Sequence, residues 1–170
     1  RYLCSGSDNI FIGCQAGDGG GYNITGSRNF FVGIRAGRYI CSGQYNVAFG
    51  CGAMGDGAIT GSQNFVVGQA AGADITSGGG NFIYGKQAAR GLTSGSNNTV
   101  IGRDSLGGKC DCNPISSRNI YIGNEIGIGQ THGNENIILG FKAGRLLTCG
   151  SYNMFFGAYT GENQTTGQYN

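Results

Sequence analysis

The stretch SGSNNTVIG, from Ser94 to Gly102, decides the fold of this chain because near-copies of it recur along the sequence. The copies include TGSRNFFVG from Thr25, TGSQNFVVG from Thr60 and CGSYNMFFG from Cys149. In each of them an asparagine stands three residues after a glycine, and three mostly apolar residues and another glycine follow. Similar segments at regular intervals are typical of a repeat architecture.

The recurring asparagine defines the period of the repeat. Successive asparagines are mostly 17 residues apart, and insertions lengthen three intervals to 20, 18 and 21 residues. The consensus is G-x-x-N-φ-φ-φ-G-x-x-A-G-x-x-φ-T-S, where φ is apolar. The asparagines are Asn9, Asn29, Asn46, Asn64, Asn81, Asn98, Asn119, Asn136, Asn153 and Asn170, with Ser116 in the glycine position before Asn119.

The repeat predicts an all-β fold, a parallel β-solenoid or β-roll of about ten 17-residue coils. A unit of this length is too short for a helical hairpin, and its Phe, Val, Ile and Tyr residues favour strands. We expect one strand in the three residues after each Asn, a second short extended segment around the Ile/Leu-Thr-Ser positions, and glycine corners. Residues 1–170 form one array, and neither end resembles a capping repeat. We therefore expect a window of a longer array or fibre, with chains that stack end to end and complete one another as the alternative.

The asparagines predict a ladder along the solenoid axis. Equal positions of successive coils stack, so that side-chain amides in one column can hydrogen-bond to each other. Binding of a glycan or other ligand by this column is the functional alternative.

Composition and residue types favour no catalytic or cofactor site. The net charge is +2, which gives no reason to expect a nucleic-acid partner. No apolar run has the roughly 20 residues of a membrane helix. His132 is the only histidine, and the acidic residues recur at no common repeat position. Cys110 and Cys112 lack a second Cys/His pair at zinc spacing. We therefore expect no enzyme activity, no cofactor and no metal site.

Seven cysteines in such a chain favour an oxidising compartment and an extracellular or surface-exposed location. Cys4 and Cys14 lie five residues before and after Asn9, and Cys41 and Cys51 lie likewise around Asn46. The equal offsets predict equivalent bridges, although contacts to a neighbouring chain and a role as small buried apolar residues remain open. The candidate disulfide cysteines are Cys4, Cys14, Cys41, Cys51, Cys110, Cys112 and Cys149. Glycosylation sequons occur at Asn23, Asn97 and Asn163, a number close to chance, with Asn23 in an insertion.

The strand residues predict self-association, because side chains alternate between two faces of a strand while all three positions here are apolar. We expect the first and third residues to fill the interior and the middle residues to form an exposed stripe. Identical stripes of other chains would cover it in a parallel homotrimer or filament. The reverse assignment of the two faces stays open, and it too leaves one apolar face to be covered. The expected stripe comprises Phe11, Phe31, Ala48, Val66, Ile83, Val100, Tyr121, Ile138 and Phe155.

The units GSQNFVVGQAAG and GSNNTVIGRDSL resemble the β-roll head repeats of trimeric autotransporter adhesins and the related G-x-x-N repeat arrays of phage-like tail-fibre proteins. The resemblance covers essentially the whole chain, in a short low-complexity pattern. It implies an elongated extracellular fibre, often trimeric, that serves structure or attachment. The leading hypothesis is therefore a structural segment of an extracellular fibre, whose partner is itself. The alternative is an adhesive head that binds a cell-surface receptor or glycan.

An ice-binding solenoid is the weaker alternative. It requires a regular threonine column, and Thr76, Thr93, Thr148 and Thr165 share one repeat position. Cys4 and Cys41 interrupt that column.

Overall fold

The computed structural model describes residues 5–106, 115–130 and 132–170, and it is a parallel β-solenoid of about nine turns. Its nine-stranded parallel sheet has the order β1-β2-β3-β4-β5-β6-β7-β8-β10, and β9 pairs with β11 in a second, two-stranded sheet. The strands are β1 (Ile10–Ile12), β2 (Phe30–Val32), β3 (Val47–Phe49), β4 (Phe65–Val67), β5 (Phe82–Tyr84), β6 (Thr99–Ile101), β7 (Ile120–Ile122), β8 (Ile137–Leu139), β9 (Cys149–Ser151), β10 (Met154–Phe156) and β11 (Thr166–Gln168). The predicted fold class is confirmed at the level of the single chain.

Strand pairing follows the sequence repeat position by position. Val66 of β4 pairs with Ala48 of β3 on one side and with Ile83 of β5 on the other. The longer intervals do not shift this register, because Phe11 still pairs with Phe31 and Val100 with Tyr121. The insertions are therefore accommodated outside the nine-stranded sheet.

The second extended segment of the repeat appears at several places in the rod. It forms β9 and β11, in which Gly150 pairs with Gly167. Isolated parallel bridges join Ile40 to Ile59 and His132 to Cys149. The segment lies where the sequence predicts it, although only its last copies are long enough to count as strands.

The asparagine column forms a continuous hydrogen-bonded ladder. The Nδ2 of Asn64 donates to Oδ1 of Asn46 at 3.0 Å and to the carbonyl oxygen of Gly78 at 2.9 Å. Its own Oδ1 accepts from the backbone N and the Nδ2 of Asn81, at 3.1 and 2.9 Å. Since the side chain is only 1% exposed, these bonds replace all four that the amide would make with water.

The coil corners require left-handed backbone. The residue before the ladder asparagine has φ near 60°, as at Arg28 (59°), Gln63 (62°) and Tyr152 (60°). Left-handed conformations cost about 1–2 kcal/mol for residues other than glycine. The repeated stacking of equal corners holds these residues there.

The interior is filled by the middle strand residue and by the residue six positions later, and their sizes compensate. In the coil of Phe31 the residue six positions later is Gly37. A Cβ atom at Gly37 would lie 2.2 Å from the Phe31 ring, so only glycine fits there. In the next coil the middle strand residue is the small Ala48 and the residue six positions later is the large Met54, and both are fully buried. In these two coils a change in size at one position is thus offset by an opposite change at the other, as close packing favours.

One core layer contains a polar pair. The hydroxyl of Tyr121 donates to Oε1 of Gln130, which occupies a position that is Ile75, Leu92 or Leu147 in other coils. Burial is the main reason that the pKa of Tyr121 is raised well above its usual value, and this phenol stays protonated. The Nε2 of Gln130 is buried without a hydrogen-bond partner, so this layer contributes less stability than its apolar neighbours.

Candidate self-association surface

The direction of each strand side chain is set by the ladder. The ladder asparagine points inward, and side chains alternate along an extended segment. In the coil of Asn64, Phe65 therefore points outward, Val66 inward and Val67 outward. The burial of these residues agrees, since Val66 is fully buried and Phe65 is 39% exposed.

The predicted assignment of the two strand faces is therefore wrong. The middle residues Phe31, Ala48, Val66, Ile83, Val100, Tyr121, Ile138 and Phe155 are all buried in the core, and Phe11 packs against them. They cannot form the exposed stripe. The physical reason is the buried ladder, because a residue two positions after an inward asparagine must also point inward.

The outward side chains of the nine-stranded sheet form two parallel columns. The first column is made by the first residue of each strand and the third column by the third residue, and together we call them the outer sheet face. The first column is Ile10, Phe30, Val47, Phe65, Phe82, Thr99, Ile120, Ile137 and Met154. The third column is Ile12, Val32, Phe49, Val67, Tyr84, Ile101, Ile122, Leu139 and Phe156. Every one of these side chains is exposed or half-buried, with Ile10, Tyr84 and Met154 each 55% exposed.

The outer sheet face is uncharged and almost wholly apolar, with Thr99 as its most polar member. Its exposed area is on the order of 1,000 Å², above the ~300–600 Å² of the largest patch on a typical soluble monomer. It is also above the ~800 Å² that each partner contributes to a standard protein interface. A surface of this size and composition is typical of a protein–protein interface.

Ring contacts make parts of this face rigid. Phe65 stacks on Phe82 with ring centroids 5.2 Å apart and planes 4° from parallel. Phe30 meets Phe49 edge to face, also at 5.2 Å. These side chains are held in place within one chain, so that covering them would cost little additional conformational entropy.

Charged residues of the described chain lie outside the outer sheet face. Arg118 and Glu135 form an ion pair across adjacent coils at 2.8 Å. On another side, burial raises the pKa of the Asp74 carboxyl, and the charge of Asp56 raises it further, while Arg90 opposes the shift. These groups place charge on other sides of the rod and none on the outer sheet face.

The described cysteines do not form the predicted bridge within the chain. Cys14, Cys41 and Cys51 are free thiols, so the Cys41–Cys51 bridge is absent from this structure. Cys51 is exposed after strand β3, whereas Cys41 is half-buried before that strand. The backbone carbonyl of Cys41 accepts hydrogen bonds from the backbone N–H groups of Thr25 and Gly26. Cys149 is exposed. Cys4, which is the predicted partner of Cys14, lies outside the described residues. Cys110 and Cys112 also lie outside them.

The other candidate positions are dispersed over the rod. Asn23, Asn97 and Asn163 are all exposed, and His132 is exposed in the second extended segment. The hydroxyls of Thr76 and Thr148 donate to backbone carbonyls of the next coil, at 3.1 and 2.8 Å. Within residues 5–106, 115–130 and 132–170, no group of three or more His, Cys, Asp or Glu side chains could hold a metal ion.

The sequence-based prediction placed the middle strand residues on the exposed surface and did not identify the first and third columns there. The signal was present in the repeat, because a buried amide ladder fixes which strand residues point inward. The predicted ladder was placed along the solenoid axis, but no inward direction was assigned to its side chains.

Comparisons with known proteins returned no match: no family model fits the chain, and no similar curated protein or solved structure was found. In the described part of the chain, no helix has the length and apolar character needed to cross a membrane.

Proposed function

We propose that this chain is a structural segment of an extracellular fibre or filament that assembles with copies of itself through the outer sheet face. The single observation that carries the proposal is the pair of exposed apolar columns running along all nine strands of the sheet. Exposing such a surface to water is unfavourable by about 25 cal/mol per Å². Association of identical faces removes it from water.

The architecture suits a mechanical role. Each coil is bonded to the next by strand pairing and by the ladder amides, so that hydrogen bonds run along the rod axis. A rod stiffened in this way resists bending and extension without a separate stalk. The count of seven cysteines in a chain of 170 residues supports an extracellular location, since cysteine-rich small domains are typical of oxidising compartments. A parallel homotrimer or a filament of side-by-side rods would both cover the outer sheet face.

Charge substitution at the outer sheet face tests the proposal. The variant Phe65→Asp/Phe82→Asp/Ile120→Asp places three charges on residues that are 39%, 41% and 38% exposed. We expect the unsubstituted chain to sediment as an oligomer and the variant to sediment as a folded monomer, with folding checked by circular dichroism.

A matched control variant places three negative charges outside the outer sheet face. Ser42→Asp/Ser77→Asp/Ser94→Asp changes three exposed residues of the second extended segment, away from the outer sheet face. We expect this variant to remain oligomeric. The proposal fails if the unsubstituted chain is a monomer, or if both variants associate equally well.

A further inference from the structure

We propose that His132 and Cys149 form one half of a Zn²⁺ site, which the same two residues of a second copy of this chain complete. The two residues are 17 positions apart in the sequence, so that no Cys/His motif is visible there. The fold brings them to equal positions of successive coils. The site lies in the second extended segment and is independent of association through the outer sheet face.

The backbone places His132 and Cys149 side by side. A parallel bridge pairs the two residues directly. The backbone N–H of His132 donates to the carbonyl oxygen of Thr148 at 3.1 Å, which ties the two segments together. Residues paired in this way point to the same side and leave the backbone about 4.8 Å apart. Both are exposed, so their side chains project together from one side of the rod.

An imidazole nitrogen and a thiolate sulfur are the donors that Zn²⁺ binds in structural sites. Bond lengths of about 2.0–2.1 Å to nitrogen and 2.3 Å to sulfur bring two donors of one tetrahedral ion to roughly 3.5 Å from each other. Side chains that leave the backbone about 4.8 Å apart can converge to that separation. The thiol of Cys149 releases its proton to solvent when the sulfur binds the ion. The pair is thus a bidentate chelate.

Two donors fill only half of a tetrahedral site, since structural zinc sites have four protein ligands. Within residues 5–106, 115–130 and 132–170, no third His, Cys, Asp or Glu joins the pair to make a larger group. A second copy related by a two-fold axis supplies the same two donors, because such a contact repeats one patch on both sides. The result is a Cys₂His₂ set, whose two thiolates balance the charge of the ion.

The surface around the pair allows two copies to approach each other. The next outward residues of the same two coils are Asn134 and Ser151, which are uncharged. The hydroxyl oxygen of Ser151 accepts from the backbone N–H of Asn134 at 3.0 Å, which holds this side chain along the rod. Ile115, which precedes His132 at the same repeat position, is 47% exposed and adds apolar area to the contact.

Cobalt(II) is the probe for this site, because its absorption spectrum reports thiolate ligation and tetrahedral geometry. With the natural chain and a phosphine reductant, we expect a thiolate-to-cobalt charge-transfer band that saturates at one Co²⁺ per two chains and disappears when Zn²⁺ is added. His132→Ala and Cys149→Ser should each abolish the band. Cys51→Ser is the matched control and should retain it, since Cys51 is also exposed but has Ile34 and Gln69 at the same position of the adjacent coils.

Sedimentation separates this site from the outer sheet face. The variant Phe65→Asp/Phe82→Asp/Ile120→Asp should be a monomer without metal and a dimer with Zn²⁺, and adding Cys149→Ser should keep it monomeric with Zn²⁺. Absence of the cobalt band, its persistence in Cys149→Ser, or saturation at one Co²⁺ per chain would overturn the shared site. A natural chain that is monomeric without metal but dimeric with Zn²⁺ would overturn the proposed function and support the zinc site.

Discussion

At the scale of single residues, the ladder asparagines have a role that few other side chains could fill. Each needs two donors and a strong acceptor on a short stem, and Asn64 uses both donors and accepts twice within a buried column. Aspartate lacks the donors and glutamine has a longer stem. The recurrence of asparagine at this position is thus a consequence of hydrogen-bond satisfaction in the interior.

Replacing Asn64 with Ala should destabilise the fold by roughly 3 kcal/mol, because it leaves buried groups on both adjacent coils without partners. The measurement is the urea midpoint of unfolding by circular dichroism. Asn23→Ala, at an exposed position, is the control and should change stability by less than about 0.5 kcal/mol. Equal effects of the two substitutions would contradict the role assigned to the ladder.

The raised pKa of Asp74 predicts that replacing this residue changes the free energy of unfolding in a pH-dependent way. Its pKa in the folded chain is raised above the ordinary value of 3.8, first by burial and then by Asp56. The charged form is therefore disfavoured in the folded state, and this penalty is present at neutral pH and disappears as the pH falls below the unfolded value. Asp74→Asn should increase the free energy of unfolding at pH 7 and leave it unchanged near pH 2.5.

Urea titrations at the two pH values check this prediction, and Asp56→Asn should give a smaller increase at pH 7 by removing the like charge. A loss of stability at pH 7 on replacing Asp74 would contradict a burial penalty on its charged form.

At the scale of the structural element, neighbouring coils compensate for a change of size inside the core. Three residues make one strand, and the middle one shares its layer with the residue six positions later. Where one is large, the other is Gly or another small residue, as in Phe31 with Gly37 and Ala48 with Met54.

Exchanging the sizes in one layer tests this compensation. Ala48→Phe alone should overpack the core and cost about 1–3 kcal/mol. Met54→Gly alone should leave a cavity and cost about 2–5 kcal/mol. The double variant reproduces the Phe–Gly layer of the preceding coil, and we expect its stability to lie close to that of the natural chain. Losses that simply add in the double variant, measured by urea unfolding, would contradict the compensation.

The sequence was sufficient to predict the elements because the period alone determines strand position and register. The three-residue strands, the parallel stacking and the ladder follow from the spacing of Asn and Gly. The faces of the strand could not be assigned from hydrophobicity, since Phe65, Val66 and Val67 are all apolar. Their directions follow instead from Asn64, because a buried ladder amide points inward and the strand residues alternate after it. The size compensation between Ala48 and Met54 also requires knowing that both side chains point inward.

At the scale of the whole molecule, the outer sheet face is the longest continuous run of exposed apolar side chains in the described chain, and others such as Ile34 and the stacked Tyr152 and Tyr169 lie elsewhere on the rod. The outer sheet face contains the two exposed columns, while the ion pair of Arg118 with Glu135 and the carboxylates of Asp56 and Asp74 lie elsewhere. Such asymmetry favours association side by side, which covers the apolar columns, over association end to end, which leaves them exposed.

Small-angle X-ray scattering of the purified chain tests the central claim most directly, because it reports mass and maximum dimension together. Nine strands at ~4.8 Å spacing give a rod about 40 Å long. We predict a mass that is a whole multiple of 17.5 kDa, with a thicker cross-section and a length close to that of one rod. A particle with the mass of one chain, or a multiple whose length grows in proportion to its mass, would contradict assembly through the outer sheet face.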